Sequence, residues 1–236
     1  MNIEIIYQDD DLIVVNKPSG ISVFAEEKGH DKTLIDFLID FFPELKSAGE
    51  APRYGIIHRL DKDTSGVLLV GKNNSSIAYF QDKFAKGDLV KEYIALCNGL
   101  FDKEKDKIET LMARSPKDRR KQKSYPLYDL RVKGRARSAV TEYEVLKKIQ
   151  NYTLIRVVPL TGRKHQIRSH MAYIHHPIVG DKLYGFKGQI IPKGLNRQFL
   201  HARGLTVEMP GKRIKSFRSP LPNDLKKILD NLKKDE

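Results

Sequence analysis

One stretch constrains this chain more than any other. Ile56-Ile57 leads into His58-Arg59-Leu60-Asp61-Lys62-Asp63-Thr64-Ser65-Gly66, and Val67-Leu68-Leu69-Val70 leads out. Four consecutive apolar residues after a turn signal read as a buried strand. Asp61 then lies on a polar loop braced by core on both sides, where a fold can hold one carboxylate in fixed geometry.

The surroundings of that carboxylate follow from composition. With 236 residues the chain fits one large domain or two small ones and can bury a sizeable core. No apolar run approaches a membrane span, and no basic-apolar-small pattern opens the chain. The single cysteine, Cys97, excludes an internal disulfide and a multi-cysteine zinc site, and it fits a reducing, cytoplasmic setting. A formal charge of +13 exceeds what solubility needs. It draws polyanions, of which nucleic acid is the usual one.

Along the chain, Ile3 to Tyr7 and Leu12 to Val15 predict a hairpin, and Asn16-Lys17-Pro18-Ser19-Gly20 a turn. Leu34 to Phe42 predicts a helix capped by Thr33, with Asp36 in its first turn and Pro43 as its stop. Ile77 to Lys86 predicts another, ended by Gly87. Strands are expected at Leu89 to Cys97, Val140 to Leu146 and Tyr152 to Leu160. Shorter ones are expected at Phe199 to Ala202, Leu205 to Met209 and Ile214 to Phe217. Arg163 to Ile174 reads as a helix with the apolar stripe Ile167, Met171 and Ile174, and Asn223 caps a final one. Short, hairpin-linked strands dominate. The class is α+β, a mainly antiparallel mixed sheet with flanking helices, in a single domain over residues 1–236.

Residues 102–137 differ in character. From Arg114 to Arg137 ten basic side chains face only Asp118 and Asp129, with Tyr125 and Tyr128 interleaved. Charge of one sign favours phosphates and tyrosines can stack on bases, so this stretch is expected to be an RNA-contacting arm, with Arg119, Arg120, Lys121 and Lys123 at its centre.

Several motif matches fail. Gly66 to Asn73 is close to a phosphate-binding P-loop, but Asn73 stands where Ser or Thr should hold magnesium, and the middle is an apolar strand. His58-Arg59-Leu60-Asp61 lacks the order of a kinase catalytic loop. His165, His170, His175 and His176 crowd one helix, yet His165 and His170 are five apart, without the spacing of four that a zinc pair wants.

Four segments do combine: the Asp61 run, Lys91-Glu92-Tyr93, Leu160-Thr161-Gly162-Arg163-Lys164-His165-Gln166-Ile167-Arg168-Ser169-His170, and Asn16 to Gly20. With His176-Pro177-Ile178-Val179-Gly180-Asp181, they make the chain resemble the RluA-type pseudouridine synthases, from the opening hairpin to about Pro220. The resemblance implies the pseudouridine synthase fold with a central active-site cleft. It also implies isomerisation of uridine to pseudouridine in structured RNA, ribosomal or transfer, without metal or other cofactor. It assigns Asp61 as the catalytic carboxylate, Arg168 as the cation paired with it, and Tyr93 as the residue that stacks on the uracil. Ile167 is assigned to the base's other side, and Arg59 to the space a flipped base leaves. His58, Lys17 and Arg163 are expected to bind substrate or steady the loops around it. The first strand begins at Ile3, which points to the compact branch without a preceding RNA-binding domain, acting as a monomer with no membrane partner. A rival reading keeps the scaffold as a non-catalytic RNA-binding or RNA-folding protein, and Asp61→Asn separates the two. Another base-flipping enzyme is the third reading. A zinc deaminase needs His and Cys ligands that a chain with one cysteine lacks, and cofactor-free turnover on plain RNA excludes a methyltransferase.

Overall fold

A computed structural model describes residues 3–25, 31–129, 132 and 136–234. They pack as two compact units: Met1–Val90 with Ala202–Pro220, and Lys91–His201 with Leu221–Glu236.

In the first unit, β1 (Glu4–Gln8) and β2 (Leu12–Lys17) form the expected hairpin. Strand β2 runs antiparallel to β3 (Ser65–Gly71), from Leu12 opposite Gly71 to Lys17 opposite Gly66. Every residue of β3 is buried, as its apolar run predicts. Next to β3 lies β9 (Leu200–Glu208), and β10 (Ile214–Arg218) pairs antiparallel with β9. The two strands predicted at 199–202 and 205–209 are this one strand. Gly204 keeps extended backbone opposite Arg218, so nothing breaks the ladder. Helix α1 (Leu34–Phe41) starts where Thr33 donates its backbone N–H and its hydroxyl to the Asp36 carboxylate, at 2.8 and 2.7 Å. Helix α2 (Asn74–Lys86) is capped by Asn73 and ends on Gly87 in the left-handed region. Phe80 of α2 joins Leu12, Val14, Val67, Leu69 and Phe217 in one core cluster.

In the second unit β4 (Leu89–Asn98), β8 (Tyr152–Pro159), β7 (Arg137–Ile149), β5 (Lys105–Arg114) and β6 (Gln122–Tyr125) lie in that order, each pair antiparallel. The α+β class expected from the sequence holds. The stretch read as a polar arm carries two strands that the sequence reading did not foresee, β5 and β6. On β5, Ile108, Thr110 and Met112 point inward while Lys105, Lys107 and Glu109 face out. Three inward residues in alternation suffice for a half-buried strand, even where the stretch as a whole reads as polar. Helix α4 (Asn223–Lys234) buries Leu225, Ile228, Leu229 and Leu232 against the cluster around Ile155 and Val157.

Helix α3 (Gln166–Tyr173) begins three residues later than predicted. His165 holds φ at 55° and so cannot be helical. Before it, the side-chain Oε1 of Gln166 accepts the Thr161 hydroxyl at 2.7 Å and the Arg163 N–H at 2.9 Å. Among the described residues no helix is long and apolar enough to cross a membrane.

Candidate active site

In the first unit, the loop carrying Asp61 is clamped from one side. The Asp61 carbonyl accepts the Thr64 N–H at 3.0 Å, closing a turn. The Lys62 carbonyl accepts both the Gly20 N–H at 2.9 Å and the Lys17 ammonium at 3.0 Å. Lys17 is fully buried and also donates to the carbonyls of Pro18 and Ile21, each at 2.8 Å. Of the two roles open to Lys17, the geometry supports bracing: the ammonium ties the Pro18 turn to the peptide next to Asp61. His58 is likewise part of the scaffold. Its Nε2 accepts the Leu69 N–H at 3.0 Å, so Nδ1 carries the proton of the neutral ring, which stacks on Phe84 at 4.4 Å. Arg59 is exposed, with its guanidinium 5.1 Å from the Phe24 ring centre. Gly66 has a φ of +123°, and a Cβ there would lie 2.1 Å from the Ala202 carbonyl. Only glycine lets β9 approach β3 at the end of the loop.

In the second unit, Tyr93 sits on β4 opposite Val157, half-buried against the cluster that contains Ile167 and Met171. Two residues before it, the Lys91 ammonium donates to the Thr161 carbonyl at 3.1 Å. Burial, and then the neighbouring Arg163 cation, bring its pKa down to about 8. Arg163 itself donates to the Ser138 carbonyl at 3.0 Å.

Arg168 is almost wholly buried on α3, and within its unit a carboxylate holds it. Its Nε–H and an Nη2–H donate to the two oxygens of Asp181 at 2.6 and 2.8 Å. Asp181 Oδ1 also accepts the N–H groups of Leu183 and Tyr184, each at 2.9 Å. Burial pushes this carboxyl up, but Arg168 and the two amides outweigh it and hold it below the usual carboxylate range. The Tyr184 ring centre lies 5.1 Å from the guanidinium. The role of these two residues was not read from the sequence, although Asp181 closes the quoted run His176 to Asp181; a single acid after a glycine carries no signal of its partner.

Three histidines of this unit meet polar or aromatic partners within it. His170 is fully buried between the hydroxyls of Thr110 and Thr141, at 2.9 and 2.8 Å, and burial lowers its pKa to about 4. His176 stacks on Phe101 at 4.2 Å and meets the Asn98 carbonyl through Nδ1 at 2.8 Å. His165 Nδ1 lies 3.1 Å from the Tyr184 hydroxyl.

Of the basic stretch, Arg119, Arg120 and Lys121 lie between β5 and β6, and Lys123 lies on β6. Arg119 and Lys123 are exposed, and Lys123 lies over the Tyr125 ring at 4.8 Å. Arg120 grips the Asp118 carboxylate with Nε–H and Nη2–H at 3.0 and 2.9 Å. Besides its pairing with β5, β6 meets its unit through Ser124, 2.8 Å from Ser169 of α3, and through the Gln122 N–H, which donates to the Tyr184 hydroxyl at 2.7 Å. Arg131, Lys133 and Arg135 lie outside the described residues.

Comparison with known proteins agrees with these motifs. Residues 11–173 match the family described as RNA pseudouridylate synthase. The Haemophilus ducreyi protein Ribosomal large subunit pseudouridine synthase D is 35% identical over 246 residues, covering 99% of this chain and 71% of that protein. The Bacillus subtilis protein Uncharacterized RNA pseudouridine synthase YlyB is 35% identical over 236 residues, covering 99% of this chain and 74% of that protein. Among solved structures, Human RNA Pseudouridylate Synthase Domain Containing 4 superposes with a TM-score of 0.78 at 25% identity, over 98% of this chain and 93% of that one. Motifs, fold and relatives agree that this chain belongs to the RNA pseudouridylate synthase family, as an isomerase that acts on RNA.

Proposed function

We propose that this chain makes pseudouridine in large-subunit ribosomal RNA, as a cytoplasmic monomer, with Asp61 as the attacking carboxylate. The substrate class rests on what the H. ducreyi relative is named for. The observation that carries the Asp61 role is the clamp on its loop, where Lys17 and Gly20 both hold the Lys62 carbonyl. A nucleophile held this way reaches its target without an ordering cost at the moment of reaction.

The chemistry balances without a redox step. An Asp61 oxygen attacks C1′ of the flipped uridine, and uracil leaves through N1 with the bonding pair. The base turns, C5 bonds to C1′, and the carboxylate departs. C5 loses its proton and N1 gains one. Arg168 is the cation that keeps the nucleophile ionised. Its support is that it is already immobilised by Asp181. Tyr93 stacks on the uracil and Ile167 packs the base; both belong to one apolar assembly in the second unit. Arg59, exposed beside the Phe24 ring, fills the gap left by base flipping. Arg163 and the basic residues at and just before β6 (Arg119, Arg120, Lys121 and Lys123) meet phosphates, while His58 and Lys17 steady the loop.

The test is tritium release from unmodified large-subunit ribosomal RNA, and separately from transfer RNA, each transcribed with [5-3H]UTP. Release from the ribosomal transcript is expected. Asp61→Asn should slow it at least about 1,000-fold while RNA binding stays within a few-fold. An Asp61→Asn variant that turns over at the wild-type rate removes Asp61 from the chemistry. Release from transfer RNA alone overturns the ribosomal assignment.

A further inference from the structure

We propose that Asp181, together with the ring of Tyr184, is the positioning device for Arg168. This rests on the assignment of Arg168 to the isomerisation above and adds the residues that make that assignment work.

An arginine reaches its target over four rotatable bonds, so a guanidinium needed at one point must be fixed from outside. Asp181 does so with both oxygens: the fork of Nε–H and Nη2–H at 2.6 and 2.8 Å sets the plane of the guanidinium and its rotation in that plane. The Tyr184 ring at 5.1 Å limits movement out of the plane. The carboxylate is itself prevented from turning, because the amides of Leu183 and Tyr184 both donate to Oδ1. Tyr184 is held at its far end, where its hydroxyl accepts the Gln122 N–H at 2.7 Å and meets His165 Nδ1 at 3.1 Å. A line of fixed contacts thus runs from the backbone of β6, through Tyr184, to the guanidinium.

The arrangement makes sense as geometry more than as charge. A carboxylate beside Arg168 subtracts from the positive potential the cation offers anything else. A buried ion pair also adds less stability than well-packed apolar residues would. If Asp181 merely tuned the charge, removing it would make Arg168 a better cation and speed the reaction. If Asp181 sets position, removing it slows the chemical step.

The experiment is single-turnover tritium release from large-subunit ribosomal RNA transcribed with [5-3H]UTP. Asp181→Asn should slow the chemical step by about 10- to 100-fold, with the half-saturating RNA concentration within about threefold of wild type. Asp181→Glu keeps the charge but moves the carboxylate by one methylene. It should slow the step as well, and it carries the test if the Asn variant does not fold. In an Arg168→Lys background, which has no fork to hold, Asp181→Asn should cost less than about twofold. Wild-type or faster rates in both Asp181 variants overturn the proposal. So does a full Asp181→Asn penalty in the Arg168→Lys background, or a loss that lies wholly in RNA affinity. Wild-type protein that releases no tritium from any cellular RNA transcript overturns the function together with the inference. An active wild type with unaffected Asp181 variants removes only the positioning role.

Discussion

A histidine with no exposed surface must be neutral or paired, and His170 shows which. Its two nitrogens meet two threonine hydroxyls, and among the described residues no carboxylate is its partner. Burial therefore costs the charged form, and the pKa falls from its ordinary value near 6.5 to about 4. Between those two values the unfolded chain binds the proton and the folded chain does not. Stability on this account is complete above about pH 6.5 and is lost as pH falls toward 4. From pH 7 to pH 5 the loss is about 2 kcal/mol. Urea midpoints at the two pH values should show it, and His170→Asn should flatten the difference. An equal pH dependence in the variant would assign the acid sensitivity to other groups. Lys17 follows a different rule. It is buried too, but Pro18, Ile21 and Lys62 offer carbonyls to its ammonium. The sequence marks both residues as notable, but the two threonines of His170 and the Lys62 carbonyl of Lys17 come from strands and loops far along the chain and are not visible in it.

Elements were legible where local chemistry decides them. The Thr33–Asp36 cap, the Gly87 stop and the apolar run of β3 each act within a few residues, and the structure has them where the sequence puts them, whereas α2 starts at Asn74, three residues before the Ile77 read from its apolar face. Strand β5 was missed because its inward residues are few and one of them is a threonine, buried here against His170. Helix α3 was read too long because the left-handed backbone of His165 belongs to a loop that Gln166 shapes through Thr161 and Arg163. The motif Thr64-Ser65-Gly66 was readable as a motif, whereas its reason is a contact between strands distant in sequence. At Gly66 an alanine would combine a φ of +123° with a Cβ 2.1 Å from the Ala202 carbonyl. Backbone cannot yield there without parting β9 from β3. Gly66→Ala should therefore cost more than about 3 kcal/mol, seen as a lowered thermal midpoint or as insoluble protein. A midpoint within about 2 °C of wild type would mean that the ladder shifts freely at this point.

The charge of the whole chain, 43 basic against 30 acidic residues, sets how strongly it holds RNA but not where. Local pairing decides which charges are available to phosphates. In the basic stretch Arg120 is committed to Asp118 by two side-chain hydrogen bonds, which help hold that carboxyl at about 2. Its cation is matched at every working pH. Lys123 is exposed on β6 over the Tyr125 ring, and the neighbouring Lys121 precedes the strand, its backbone bonded to Ser115 and Asp118. If β6 meets the RNA backbone, each phosphate contact releases counterions, and the logarithm of affinity falls with the logarithm of salt by about 0.7–0.9 per contact. Replacing Lys121 and Lys123 with glutamine should reduce that slope by about 1.5 and weaken binding of ribosomal transcripts at 50 mM salt more than at 200 mM. Arg120→Gln should change it much less, because the same substitution releases Asp118 to repel phosphate only after removing a charge that was already balanced. An unchanged slope in the double lysine variant would take β6 off the RNA. A slope that falls equally for Arg120→Gln would show that the Asp118 pairing opens on binding. Either result is read from filter-binding or anisotropy titrations across four salt concentrations, and neither depends on turnover.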